Sequence, residues 1–336
     1  MSPHSMHLNS KMGMKVLLYV AFSALCYYHQ ALKIATDRYK VNENTERIQK
    51  QKAMILSFHP CITADHQVIL GSRELGPEDL SLISRARAII LPQSCKEDLY
   101  RACKNSSAVL FPDYDARFAY PGKVGQSLLF AKQGLPQPET ITWRSVEKFQ
   151  AACRRSYPHK LPFLIKENTT HEAEGIYSIE NEHSLEMAVD CLYKNRGMES
   201  PAFISQELIP AGGNVLRVVI LETNLISYWK RPRESGQIIT NVGKGSMIDK
   251  KWRMDLQEKG KAQVRRLSTV TGINLAAVDL IFPLKNPDPQ PLFLEINYYF
   301  GRRGLGNSFN YYSLLFETLK DWLGKKGFDP DTVGLI

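Results

Sequence analysis

The apolar positions of this chain fall into short runs rich in β-branched and aromatic residues, with helical periodicity in several of the stretches between them. Runs at 277–282 and 292–297 are dense in Val, Ile, Leu and Phe and read as two strands. The link between them carries Pro287, Pro289 and Pro291, which cannot continue a ladder, so the chain turns there into a hairpin. Side chains two apart in a strand share a face, which places Glu295 with Asn297, and Asp279 reaches that face from the neighbouring strand. Three oxygen-bearing side chains among apolar neighbours suit a hard cation such as Mg²⁺, which commonly binds one or two carboxylates together with substrate phosphates. On these residues alone a solvated hairpin face is the plainer alternative.

Upstream, residues 54–58 predict a strand running into His59, Pro60 and Cys61. Runs at 67–70, 88–92 and 108–112 predict three more strands, with a helix opened by Pro77, Glu78 and Asp79 between the second and third. That alternation implies a small, open, parallel α/β domain. His59, at the carboxyl end of a strand, either lines a ligand crevice or is an ordinary loop histidine. Residues 122–134 predict a helix closed by Gly134, and Pro136 and Pro138 lead to a strand at 139–142. Ser145 is expected to cap a helix that turns Phe149 and Cys153 to one side. A buried strand at 163–166 ends on Lys166, and a polar turn at 167–175 precedes a second strand at 176–179, a hairpin suited to covering phosphates.

Ser184 is expected to cap a helix at 185–195 closed by Gly197, followed by a strand at 202–209. A hairpin at 215–221 and 225–229 holds Arg217 inside its first strand. The loop after it gathers Lys230, Arg231, Arg233, Asn241 and Lys244 with Gly236, Gly243 and Gly245, a combination that lets backbone approach an anion while cations neutralise it. A helix at 256–271, with Val264, Leu267 and Val270 inward, stops at Gly272.

Length and charge narrow the picture. The 336 residues, 43% hydrophobic and 23% charged, are enough for two or three globular domains. The net charge is +9, but residues 1–52 hold six Lys and two Arg against three acids, so most of the excess sits in that segment. The remainder has no sustained basic stripe, which argues against a nucleic-acid partner. Cys26, Cys61, Cys95, Cys103, Cys153 and Cys191 form no CxxC pair and suggest reduced thiols of a cytoplasmic protein. The apolar run at 16–28 is short for a membrane span, and stable insertion is not expected. Three readings of 1–52 stay open. It is an added helix packing on its own domain or on a twin, as in a homodimer, or a peripheral membrane anchor, or residues read from an upstream start, with Met12, Met14 and Met54 as alternatives.

Taken in order, these parts resemble the ATP-grasp superfamily, especially the branch of carboxylate–amine ligases that holds the ribosomal-protein glutamate ligases and glutathione synthetase-like enzymes. The resemblance covers about 123–323. It implies an α/β fold in which 1–52 are an extension, 53–117 a pre-grasp domain, 118–205 a first subdomain with the phosphate-covering loop, and 206–336 a second with the metal site. It also implies that Lys123 and Lys166 touch nucleotide phosphates, that Gly175 belongs to the covering loop, and that Gln206, Glu207, Leu208 and Ile209 form the hinge around adenine and ribose. Arg217, Lys244 and Asn297 carry catalytic roles in this resemblance, Asn241 belongs to the anion-binding loop, and Asp279, Glu295 and Asn297 hold Mg²⁺ or Mn²⁺.

The implied reaction converts a carboxylate to an acylphosphate with ATP and captures it with an amine, the substrates being small molecules or peptides. A small-molecule kinase or a non-catalytic nucleotide-binding protein are the alternatives. Departures from the family pattern include a covering loop that keeps only Gly175 beside Glu172 and Glu174, and Val215 where an acid is common. The turn after Asn297 is Tyr298 to Gly306 rather than a Pro-Gly turn. Its Arg302 and Arg303 are expected to bind a substrate carboxylate, or else to form a solvated basic turn.

Overall fold

Three short parallel strands set the first layer: β1 (Ile55–Ser57), β4 (Ala88–Ile90) and β5 (Val109–Phe111), with β2 (Ile62–Thr63) and β3 (His66–Gln67) between the first two. The sheet order is β3-β1-β4-β5, all parallel. Helices α1 (Pro77–Arg85) and α2 (Glu97–Lys104) make the crossovers. The strand expected at 67–70 stops at Gln67, because Val68 forms one further bond to Ser57 and the chain then turns, leaving Ile69 exposed. Helix α2 is not evident from the sequence because its charged positions mask the buried Leu99, Tyr100 and Cys103.

The structure, a computed structural model, describes Lys33 and residues 53–168, 175–194, 202–233 and 246–336. The expected extension at 1–52 (Lys33 apart), Glu172, Glu174, Gly197, Asn241 and Lys244 lie outside the described residues. The chain divides into two units, 1–53 and 54–336, and all the strands and helices named in this section belong to the second. Among the described residues no helix is long and apolar enough to cross a membrane.

After α3 (Asp115–Ala119) and α4 (Gly122–Lys132) comes an antiparallel sheet of β6 (Thr140–Trp143), β7 (Phe163–Glu167), β8 (Ile176–Ile179) and β9 (Phe203–Glu207), in the order β6-β9-β7-β8. Two helices cover it, α5 (Val146–Cys153) and α6 (Glu182–Lys194), packing Val146, Phe149, Ala188 and Leu192 on Phe163, Ile165 and Phe203. Ser145 caps α5 as its position suggests, its oxygen accepting the Lys148 N–H. The start of α6 differs from expectation. Asn181 accepts the Ser184 N–H at 3.0 Å while Ser184 Oγ accepts the Asn181 N–H at 3.0 Å, so the reciprocal cap begins the helix at Glu182 and Ser184 lies inside it.

The third sheet holds β10 (Val215–Leu221), β11 (Asn224–Arg231), β12 (Met247–Asp249), β13 (Leu275–Ile281) and β14 (Leu292–Asn297), in the order β12-β11-β10-β13-β14, every neighbour antiparallel. Its period-2 pattern serves two cores. Leu216, Val218 and Ile220 face α7 (Met254–Thr271), whereas Val219, Leu221 and Ala277 face the first sheet and α8 (Ser308–Lys325). Helix α7 ends at Gly272, whose φ of 76° suits glycine. Val270, expected inward, is 43% exposed, because the buried stripe through Leu256, Gly260, Val264 and Leu267 arrives next at Thr271.

Helix α4 ties the second and third sheets together. Its first turn meets the end of β7, with the Lys123 N–H donating to the Asn168 carbonyl at 3.1 Å and the Val124 N–H to Asn168 Oδ1 at 2.9 Å. One turn on, the buried Gln126 amide grips the Ile296 peptide of β14: Nε2 donates to the carbonyl and Oε1 accepts the N–H, both at 2.8 Å. Gln126→Leu keeps the volume but strands two buried peptide groups, and each costs about 1–3 kcal/mol when left unmet. The expected loss in chemical denaturation is therefore about 2–6 kcal/mol. A loss under about 1 kcal/mol would mean that water replaces the amide.

Candidate active site

The site is built on one row of side chains crossing four adjacent strands. Tyr228 on β11 pairs with Arg217 on β10, Arg217 with Asp279 on β13, and Asp279 with Glu295 on β14. A bulge sets the last member. Asp279 faces Glu295 but Leu280 faces Phe293, so Leu294 is an extra residue on β14. The phase change lets Phe293 enter the core under α4 while Glu295 and Asn297 stay on the row's face. Without it, Phe293 and Glu295 would point the same way.

Asp279 is 5% exposed and paired with two cations. Arg217 donates to it through Nε at 2.7 Å and Nη2 at 2.8 Å, and Lys230 Nζ donates to Oδ2 at 2.8 Å. Burial alone pushes the Asp279 carboxyl up, but the Arg217 and Lys230 charges outweigh it and hold the group well below the usual carboxylate range. Burial likewise opposes the charge on Arg217, and Asp279 more than restores it. Lys230 goes the other way, lowered by burial despite Asp279. In the sequence this lysine stands out only as part of a charged loop. Its place on β11, two residues past Tyr228 and therefore on the same face, is the available signal.

The second sheet supplies Lys166, 8% exposed, whose Nζ donates to Gln206 Oε1 at 2.6 Å. Gln206 in turn donates to Thr140 Oγ1 at 2.9 Å. Burial lowers Lys166 to about 8, with Glu295 opposing the shift and Lys123 adding to it. Lys123 is also lowered by burial, against the pull of Glu295 and Glu167. Lys123, Lys166 and Glu295 thus lie close enough to act on one another although they come from three separate elements.

The remaining expected residues divide. Gln206 turns inward to Lys166, while Glu207 is exposed, and Leu208 and Ile209 continue past the end of β9 half-buried. Gly175, at φ 61°, closes the β7–β8 turn, its carbonyl accepting the Glu167 N–H at 2.9 Å. Arg302 and Arg303, equivalent in sequence, are not equivalent in place. Arg302 is half-buried and stacks at 4.5 Å on the Tyr312 ring and 5.0 Å on Tyr311, whereas Arg303 is exposed. The turn carrying them returns over the row, since a Cβ at Gly304 would come within 2.0 Å of Tyr228 Cζ. A cleft of about 770 Å³ among Tyr100, Lys104, Asp113, Glu222, Arg265 and Lys326 holds none of these residues.

Among the described residues no three His, Cys, Asp or Glu side chains cluster as a metal site, so a cation would rest on Asp279, Glu295 and the amide oxygen of Asn297. That set fits Mg²⁺. Asp279 Oδ1 accepts one donor and keeps a lone pair, and the half-buried Glu295 carboxylate has no hydrogen-bond partner among the described residues.

Removing the Asp279 charge leaves Arg217 and Lys230 as buried, uncompensated cations. Asp279→Asn is expected to destabilise the fold by about 3–5 kcal/mol at neutral pH. Because the folded carboxyl lies below its unfolded value of 3.8, its stabilisation is present above that pH and is lost as pH falls below it. Urea denaturation at pH 7 and at pH 3 should therefore show the gap between wild type and variant narrowing in acid, and a constant gap would sever the link to ionisation.

Comparison with known proteins gives this arrangement its context. Over 151 residues, 45% of this chain, the sequence is 22% identical to N-acetylaspartylglutamate synthase A of Homo sapiens, and the match spans 37% of that protein. The chain therefore spans well under half the length of that curated relative. D-Alanine–D-alanine ligase from Helicobacter pylori shares the fold at a TM-score of 0.50 and 13% identity, over 69% of this chain and 71% of that one. N5-Carboxyaminoimidazole synthetase from Staphylococcus aureus, solved with ADP, gives 0.50 and 12% over 73% and 63%. Residues 122–309, more than half of the chain and including Lys123, Lys166, Arg217 and the Asp279–Glu295–Asn297 face, match the RimK-like ATP-grasp domain, and the chain belongs to that family.

Proposed function

We propose that this chain binds ATP between its second and third sheets and uses it to join a carboxylate to an amine. The observation that carries the reading is charge. Lys166, Arg217 and Lys230 outnumber the two carboxylates, Asp279 and Glu295, on which they act, and Lys123 adds a fourth cation that Glu167 also faces. Buried cations in excess are costly unless an anion joins them, and burial is already lowering the lysines. A triphosphate chelated to one divalent cation supplies that anion. In this reading 118–205 and 206–336 are the gripping lobes, 53–117 is the domain before them, and 206–209 hold adenine and ribose.

Asp279, Glu295 and Asn297 would hold Mg²⁺, which when bound neutralises phosphate charge. Lys123 and Lys166 bind phosphate oxygens, and Arg217 faces the group being transferred. A substrate carboxylate oxygen attacks the γ-phosphorus as the bond to ADP breaks, giving an acylphosphate. The amine nitrogen then attacks the acyl carbon, and phosphate leaves. Phosphoryl transfer of this kind asks for positioning and charge neutralisation rather than a nucleophilic side chain. The family membership and the synthase name of the human relative support ligation over phosphorylation of a hydroxyl. We place the reaction in the cytoplasm, where the free thiols Cys61, Cys95, Cys103, Cys153 and Cys191 stay reduced.

MgATP at millimolar concentration should raise the melting temperature, a site of ordinary affinity contributing about 1–3 kcal/mol. An unchanged melting curve would count against the nucleotide site. Lys166 gives a second check. Free, it titrates near 8, and bound phosphates favour its charged form, so nucleotide binding at pH 8 should take up protons and affinity should fall as pH rises past that value. Calorimetry in two buffers of different ionisation enthalpy measures the uptake. Its absence would remove Lys166 from the phosphate contacts.

A further inference from the structure

The first sheet ends on β5, and among the described residues no strand pairs with the outer edge of β5. From Ala108 to Phe111 the chain carries neither a charge nor a proline, the usual guards of such an edge. The Val109 N–H donates to the Arg87 carbonyl at 2.9 Å, and the Phe111 carbonyl accepts the Leu91 N–H at 2.7 Å, so both residues bond towards β4. In a parallel ladder the residue between them turns its peptide groups the other way. The Leu110 N–H and C=O therefore point off the edge, and no described residue bonds either one.

Leu110 lines the cleft of about 770 Å³ that lies apart from the candidate active site, a volume in the range of ligand pockets, about 300–1,000 Å³. Trp322 lines it too, 3% exposed and packed on Phe111 with ring centroids 5.5 Å apart. Its indole N–H has no partner among the described residues and is not sealed from solvent, so the small exposed part of the ring includes it. The charges around the cleft sort by partner. Glu222 holds Lys325 at 3.2 Å, and Asp115 holds Lys104 at 2.6 Å. Asp113 accepts the Tyr100 hydroxyl at 3.2 Å and the Asp115 N–H at 2.9 Å. Arg265 on α7 and Lys326 just past α8 are exposed, and neither pairs with an acid among the described residues.

The groups left over are two cations, an indole donor, and a peptide that needs a donor and an acceptor together. A simple anion would leave the Leu110 N–H and C=O half met, whereas a second backbone answers both. Pairing β5 with β5 of a second copy would bring the same cations to face one another. We infer that the β5 edge docks an acidic segment of a partner protein as an added strand, with its backbone on Leu110 and its carboxylates on Arg265 and Lys326. Trp322 Nε1–H supplies one further donor to that segment. This surface is separate from the nucleotide site and takes no part in its chemistry.

The test titrates the full chain with octapeptides blocked at both ends, one of Thr-Glu repeats and one of Thr-Gln repeats, and follows binding by calorimetry. The acidic peptide should bind about ten-fold or more tighter, as expected for charge-assisted contacts. Methylating every peptide nitrogen of the acidic peptide should abolish binding, because the charge survives and the backbone donors do not. The double variant Arg265→Ala with Lys326→Ala should lose the acidic preference at an unchanged melting temperature. Trp322→Phe, which keeps a ring and loses the N–H, should weaken the acidic peptide several-fold. Should Trp322→Phe not fold, the methylated peptide and the double variant decide. Absent binding of the acidic peptide, equal binding of the two peptides, undiminished binding of the methylated one, or a wild-type preference in the double variant would overturn the inference. Displacement of the acidic peptide by equimolar inorganic phosphate, or by self-association of the chain in sedimentation, would overturn it as well.

Discussion

A buried carboxylate that cannot be left alone organises the third sheet. Asp279 lies on a central strand with almost no solvent, and its charge is tolerable only because Arg217 and Lys230 reach it from the two strands on its far side. That requirement fixes register. A one-residue slip between β10 and β13 would carry Arg217 to the α7 side and leave the anion facing apolar neighbours. The same three residues lower the freedom of everything around them. Tyr228 is held against Arg217, Gly304 against Tyr228, and the turn with Arg302 is thereby laid over the row.

Two kinds of cation result. Arg217 and Lys230 are stabilised by an internal partner and form a permanent wall. Lys166 sits in a nearly dry environment with an uncharged amide, Gln206, as its hydrogen-bond partner, so its charge is held with difficulty. The first kind is held by charge, and the second by a neutral partner that leaves burial to lower its pKa. The division follows from which neighbour each strand register offers, an acid in one sheet and an amide in the other.

Much of this is legible in the chain. The hairpin of β13 and β14 announces itself by two apolar runs around a proline-rich link, and Ser145 and Gly272 mark helix ends by chemistry that acts locally. What stays hidden depends on partners far away in sequence. The bulge at Leu294 is invisible because the run from Phe293 to Asn297 reads as plain alternation once Glu295 and Asn297 are paired. Lys230 is hidden by the basic loop behind it. Arg302 and Arg303 are adjacent and identical in type, and only the rings of Tyr311 and Tyr312, on a helix that the sequence pattern does not mark, tell them apart. Gln126 looks like an ordinary polar position within α4 until its target strand is in place.

That glutamine has a consequence of another kind. Strand β14 is the last of its sheet, and an outermost strand normally offers a row of free peptide groups that another chain's strand can adopt. Here the Gln126 amide, which copies a peptide's donor and acceptor, occupies Ile296, and the Pro136 carbonyl accepts the Phe293 N–H at 2.7 Å. One side chain and one loop carbonyl thus impersonate a neighbouring strand. At Phe293 and Ile296 the outer edge of β14, the strand that also carries Glu295 and Asn297, is thereby closed to strand addition.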